Sequence, residues 1–260
     1  MRIKALFNKN DNRQKTYIKF IKQTFPQLIT EEDPEMFFVV GGDGAMHHAH
    51  KKYGHLGLPF FGRGLGTLNF IMHNFENDFE VITGLIDGSI NPVIIETEKI
   101  ALTIKKKSTK QIIKKTSIND IIIGNGIMDY HYLVINSERG SFENFHYKGA
   151  GISISTPLGS TAYNVNNRGR VLPLDSDMWS FTSIVGTHIV DEVMMPQKIK
   201  IKIKSERETP IIYIDGTATA IPLDKGDKVE LNKCKEKFKL AFLDPKIFFK
   251  KRMKLIQKKR

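Results

Sequence analysis

The stretch FFVVGGDGAMHHAHKKYG, residues 37 to 54, sets the frame for everything around it. Phe37 to Val40 form a short, continuous apolar run, the pattern of a buried strand, and Ala45 to Tyr53 can continue as a helix. Gly41, Gly42 and Gly44 therefore fall where a strand turns into a helix N-terminus, a place whose free backbone N–H groups and dipole attract anions. The spacing is neither GxGxxG nor GxxxxGK[ST], so neither the dinucleotide fingerprint nor the P-loop accounts for it. Asp43 is thus a carboxylate at a mouth suited to phosphates, which repel it. Two uses remain open for it. It caps the helix through a backbone N–H, or it is the positioned acceptor that phosphoryl transfer from an alcohol requires.

Upstream, IKALF (3–7) reads as a strand, and 11 to 25 as a helix with Ile18, Ile21 and Phe25 on one face. Downstream, LGLPFFG (56–62) reads as a third strand, and 76 to 86 as a helix burying Phe79, Ile82 and Ile86. This alternation predicts an α/β N-terminal domain with a parallel sheet. From about Asn91 the pattern changes to period two in KIALTIKK (99–106), YHYLVIN (130–136), KIKIKIK (198–204) and KFKLAFL (237–243). That half is expected to be β-rich, antiparallel and sandwich-like, with one wet face. The domains are set at 1–95 for the α/β part carrying the GGDG loop, 96–243 for the β-rich part, and 244–260 for a C-terminal segment. In that segment FFKKRMKLIQKKR reads as a solvated tail, or as a short helix packing Phe248, Phe249 and Ile256, rather than as a membrane-surface helix.

A formal net charge of +12 over 260 residues calls for an anionic partner, and phosphorylated metabolites, nucleic acid and a membrane surface all meet that description. The single cysteine, Cys234, excludes an internal disulfide and suits a reducing compartment. The start, MRIKALFNKN, lacks the apolar core of a signal peptide, and no run approaches the roughly 18 apolar residues of a membrane span. The chain reads as cytoplasmic, with no membrane partner. His47, His48 and His50 lack an H-E-x-x-H acid or a nearby cysteine, so they read as a solvent-facing helix rather than a zinc site.

The segment STPLGSTAYNVNNRGR (155–170) is rich in hydroxyls and by itself is a turn joining strands. Together with GGDG (41–44), GRGLGTLNF (62–70), SINDIIIGNG (117–126) and KGAGISISTPLGSTAY (148–163), however, it resembles the ordered landmark motifs of the NAD kinase family, with IDG at 214–216 where that family has an aspartate-glycine turn. The resemblance implies a NAD kinase-like fold whose C-terminal segment returns to the N-terminal domain. It implies transfer of a phosphoryl group from ATP, or polyphosphate, to the 2′-hydroxyl of the adenosine ribose of NAD, with a divalent metal, Mg2+, bound alongside the phosphate donor. It implies a homodimer or homotetramer.

By the same resemblance Asp43 is the catalytic acceptor of the hydroxyl proton, Asn119 and Asp120 bind the dinucleotide, and Thr161, Ala162 and Tyr163 line its pocket. Asn166 stands in place of a pocket serine, Phe70 is a base contact, and His48 and Lys148 are anion or ribose contacts. The chain departs from the family pattern at Ala45, Gly64, Asn69 and Ala150, the last removing a carboxylate near the nicotinamide end. A lipid kinase sharing GGDG, favoured by the basic tail, leaves STPLGSTAY without a role. A catalytically weakened dinucleotide-binding protein is favoured by Ala45 and Ala150, and a nucleic-acid partner is disfavoured.

Overall fold

The computed structural model describes residues 1–7, 12–66, 69–126, 129–139, 141–206, 208–216 and 219–258, the side chains of 255–258 excepted. Two compact units emerge, one from Met1–Glu96 together with Phe238–Lys254, the other built on Thr97–Lys237.

The first unit contains β1 (Ile3–Leu6), α1 (Lys15–Thr24), α2 (Gln27–Thr30), β2 (Met36–Gly41), α3 (Asp43–Tyr53), β3 (Phe60–Gly64), α4 (Asp78–Asp87) and β4 (Val93–Thr97). Strands β1, β2 and β3 pair in parallel, Ile3 opposite Met36 and Phe37 opposite Phe60. Every residue of β2 is buried, as a strand covered on both faces must be. Tyr17 and Ile21 of α1 and Ile82 and Leu85 of α4 pack with Phe38, Val40 and Phe61. Helix α4 starts at Asp78, capped by the Asn77 side chain, which accepts Glu80 N–H at 3.1 Å. Its buried positions are Ile82, Gly84 and Leu85, with Ile86 half-buried against the same core, so of the expected Phe79, Ile82 and Ile86 only Phe79 lies outside it. Phe79 lies in the first turn, 56% exposed, with its ring 5.5 Å from that of Phe25.

The second unit is antiparallel throughout. Its strands are β5 (Ile100–Lys105), β6 (Ile112–Ser117), β7 (Asp120–Gly124), β8 (His131–Ser137), β9 (Phe145–Ser155), β10 (Trp179–Gly186), β11 (Asp191–Met194), β12 (Ile199–Ile203), β13 (Ile211–Ile214), β14 (Ala220–Pro222) and β15 (Lys228–Lys233), with one short helix, α5 (Tyr163–Asn166). The hydrogen-bonded order is β14-β13-β7-β9-β8-β12-β15-β5-β6, with β10 on β9 and β11 on β10. In β12, Ile199, Ile201 and Ile203 are buried and Lys200 and Lys202 exposed, the alternation of a sheet with one wet face. The isoleucines join a core that includes Trp179, Tyr147 and Phe181.

The stretch KFKLAFL, expected in the β-rich half, belongs elsewhere. It forms β16 (Phe238–Phe242), which lies between β3 and β4 in the first unit and runs parallel to β3, Leu240 opposite Phe60. Leu240, Ala241 and Phe242 are all buried, since this strand is covered on both faces instead of one. The boundary expected at 243 therefore falls at 237. Beyond β16, the basic segment forms α6 (Pro245–Lys258), with Phe248 buried and Phe249 half-buried; Ile256 lies outside the described side chains. His73 ties these returning elements to β3. Its Nδ1–H donates to Gly62 O at 2.8 Å and its Nε2 accepts Leu243 N–H at 3.1 Å, the arrangement of a neutral ring. Burial pushes its pKa down to about 4. Among the described residues, no helix is long and apolar enough to cross a membrane.

Candidate active site

In the first unit, Gly41 ends β2 at φ +145°, and a Cβ there would come within 2.7 Å of the Ala45 Cβ, so only glycine makes this turn. Helix α3 begins at Asp43, but the carboxylate does not cap it. Instead Asp43 Oδ2 accepts the N–H of Phe70 at 2.9 Å and Oδ1 that of Ile71 at 3.2 Å. Phe70 thus contributes its backbone here. Each carboxylate oxygen keeps a further acceptor direction for a third group. Burial raises the Asp43 pKa, opposed by the two backbone hydrogen bonds and by the charges of His47 and Lys251.

A second cation comes from the same helix as Lys251. Arg252 is 2% exposed, and burial lowers its pKa to about 10 while the Asp43 charge opposes that shift. Lys251 Nζ also donates to Asn69 O at 3.3 Å. Arg63 of the GRGLG stretch, by contrast, is held in a two-pronged pair with Asp78 at 2.7 and 3.0 Å and serves the fold.

Gly42, Gly44, Ala45 and His48 line a cavity of about 470 Å³, together with Arg13 and Lys52. The cavity lies outside the carboxyl end of β2 and at the N-terminus of an eleven-residue helix, where anions are favoured. His48 is exposed, as expected, but His50 is buried at 7%, its ring 4.9 Å from that of Phe238. Met46, Ala49 and His50 form the inner face of α3, so the histidine cluster is split between solvent and core.

In the second unit, Asp215 organises the SIND stretch. With φ at +51°, its Oδ1 accepts Ser117 Oγ–H at 2.6 Å and Asn119 N–H at 2.8 Å, and its Oδ2 accepts Ile118 N–H at 3.2 Å. Asn119 Nδ2 donates to Asp120 Oδ2 at 3.3 Å. Asp120 is 3% exposed, and burial and the nearby Asp215 charge push its pKa up to about 7. Thr156 clasps the same stretch: its backbone N–H donates to Asn119 O at 2.9 Å, and its hydroxyl reaches Ile118 O at 2.5 Å. Gly159 follows because a Cβ there would sit 2.0 Å from Asn119 O.

Tyr163 opens α5, 37% exposed, its pKa raised by burial and by the Asp120 charge. Thr161 is half-buried, while Ala162 and Asn166 are exposed. The buried Asn164 braces this turn, its Nδ2 donating to Arg170 O at 2.9 Å and its Oδ1 accepting Ser180 Oγ–H at 2.9 Å. Asn119, Asp120 and Tyr163 therefore converge, with the hydroxyls of Thr156 and Ser160 serving as internal braces. Lys148 stands apart from them, on β9 opposite Tyr132, with its ammonium 5.2 Å from that ring. Ala150 is 2% exposed in the same strand.

The sequence alone does not mark Asp215 or Arg252. IDG announces only a turn, although an aspartate at a left-handed turn is a natural collector of backbone N–H groups. Arg252 was one cation among many in a basic run.

The family model described as ATP-NAD kinase C-terminal domain matches residues 90–243. The NAD kinase of Rickettsia bellii is 30% identical over 188 residues, covering 70% of this chain and 68% of that protein. That of Rickettsia akari is 32% identical over 188 residues, with the same shares covered. Among solved structures, a yeast NADH kinase complexed with NADH superposes with a TM-score of 0.81 at 18% identity, covering 97% of this chain and 86% of that one. A NAD kinase from Archaeoglobus fulgidus in complex with ATP gives 0.70 at 16% identity, covering 99% of each. The fold of both units, the match across the β-rich unit and the similarity to these relatives lead to one conclusion: the chain belongs to the NAD kinase family.

Proposed function

We propose that this protein transfers the terminal phosphoryl group of ATP to the 2′-hydroxyl of the adenosine ribose of NAD, producing NADP. The observation that carries this reading is Asp43: a carboxylate fixed by two backbone N–H groups at a helix N-terminus, with its pKa raised by burial. A raised pKa makes it a better proton acceptor at neutral pH. In the proposed step the ribose oxygen attacks phosphorus, its proton passes to Asp43, and the bond to ADP breaks. Lys251 and Arg252 offset negative charge beside the carboxylate. Gly42, Gly44 and His48, with Arg13 and Lys52, supply the N–H groups and cations for the donor phosphates.

Asn119 and Asp120 hold the ribose and adenine edges through amide and carboxyl groups, and Tyr163 offers a half-exposed ring for stacking, with Thr161, Ala162 and Asn166 at the rim. Asp43 with its spare acceptor directions suits a Mg2+ ion held chiefly by donor phosphates. That ion would neutralise charge developing on the transferring group. Polyphosphate as an alternative donor, a homodimer or homotetramer, and a cytoplasmic location come from the resemblance and are part of the same reading.

The test is NADP formation by the purified protein with NAD, Mg2+ and either ATP or polyphosphate, coupled to an NADP-specific dehydrogenase. Product with either donor supports the reading and names the donor. Calorimetric NAD binding without product would instead identify a dinucleotide-binding protein.

A further inference from the structure

The stretch MDYHYLVIN places Asp129 and His131 two residues apart, on one side of an extended chain at the start of β8. Glu208, from the connection between β12 and β13, meets them: one donor atom from each residue lies within 4.8 Å of the others. His131 is fully buried, and neither Nδ1 nor Nε2 makes a well-formed hydrogen bond, although the Glu208 backbone faces the ring. A neutral imidazole carries one donor and one acceptor, and burying both unsatisfied is rare in a folded protein.

Both carboxylates are already oriented. Asp129 Oδ2 accepts Gly126 N–H at 3.1 Å, and Glu208 Oε2 accepts Tyr130 N–H, which leaves the other oxygen of each free to turn toward the imidazole. Backbone donors that fix a carboxylate in this way are the usual outer support of a metal ligand. His131 and Glu208 line a surface cavity whose cations are Lys148, Lys204 and Lys225. Two of these are engaged, Lys148 over the Tyr132 ring and Lys225 with Glu206.

We propose that Asp129, His131 and Glu208 bind a first-row divalent transition metal, with Zn2+ the ion to test. One imidazole nitrogen and two carboxylate oxygens form a mixed set that suits zinc, cobalt or manganese better than calcium or magnesium, which favour oxygen alone. Three protein ligands leave a position open for water from the cavity. The ion would satisfy a nitrogen of His131 and fasten the β12–β13 connection to the start of β8. It is a second ion, since the cation of the donor phosphates is assigned to Asp43.

Chelator-stripped full-length protein would be titrated with Zn2+ by calorimetry, alongside Glu208→Gln and His131→Leu. One ion per chain is expected, with affinity at least tenfold lower in each variant, because losing even an outer-shell partner costs about 10–100-fold. Co2+ should produce a visible absorption band in the wild type that both variants lose. Glu208 is exposed, so its variant keeps the reading testable if His131→Leu fails to fold. Absence of uptake, or equal affinity in wild type and Glu208→Gln as binding at the α3 histidines would give, overturns the proposal.

Discussion

Asp215 Oδ1 accepts the backbone N–H of Asn119 at 2.8 Å, so the conformation of the SIND stretch depends on a carboxylate 96 residues further along the chain. Replacing it by alanine leaves the N–H groups of Ile118 and Asn119 without their acceptor, while the Ser117 hydroxyl keeps the Asp120 carbonyl at 3.0 Å. Asp215→Ala should lose about 3 kcal/mol of stability in urea denaturation, in the range for hydrogen bonds to charged groups. Asp215→Asn keeps an acceptor oxygen and tolerates φ +51°, so it should lose less than half as much. Equal losses would show that charge, not acceptance, holds the turn.

Asp120 gives the second unit a distinct pH signature. Its folded pKa of about 7 lies well above the ordinary aspartate value of 3.8. Between those values the folded state binds more protons than the unfolded one, so this group's contribution to stability falls as pH rises from about 4 to 7. Asp120→Asn removes that slope. Its urea midpoint relative to wild type should rise steadily over the window, and a constant difference would mean Asp120 titrates normally.

Arg252 should act on the pH dependence of catalysis. The Asp43 charge favours the charged form of Arg252, and because the attraction is mutual, Arg252→Met should move the Asp43 pKa further up. The acid limb of kcat/KM for NADP formation then shifts to higher pH, while activity on the alkaline plateau falls less. A uniform drop at every pH would assign Arg252 to folding alone.

Asp43→Asn should abolish proton acceptance yet keep one carbonyl oxygen for the Phe70 or Ile71 N–H. NADP formation is expected to fall by about 10²–10⁴-fold, the usual contribution of a positioned base, with an unchanged circular dichroism spectrum. Retained activity would remove Asp43 from the chemistry.

Gly159→Ala places a methyl group 2.0 Å from Asn119 O, which cannot be absorbed by a side-chain rotation because the obstacle is backbone. A loss of about 2–3 kcal/mol and weaker NAD binding should appear together. Normal NAD affinity in this variant would separate the turn from the pocket.

The sequence made the two fold halves legible because periodicity changes from strand–helix alternation to period two, and the GGDG turn follows from an all-apolar strand running into glycines. Periodicity could not tell where KFKLAFL would pair. A short apolar strand does not declare whether one or both faces will be covered, and only the three consecutive buried residues Leu240 to Phe242 distinguish it from KIKIKIK. Burial of His50 and His73 was likewise invisible, since a histidine in the core depends on partners distant in sequence such as Phe238 and Leu243. Asp43, Asn119, Asp120 and Tyr163 stood out by motif. Arg252 did not, because a cation's burial depends on packing that no local run of lysines reports.

The placement of β16 also sets an order of events during synthesis. Strand β4 finds its neighbour in the first unit's sheet only when residues 238–242 have been made, after residues 97–237 of the second unit. At about 5–20 residues per second, that interval is roughly 7–28 s. The half that is translated first is therefore completed last, and a nascent chain halted before residue 238 would carry the GGDG turn without the cations that Lys251 and Arg252 bring to it.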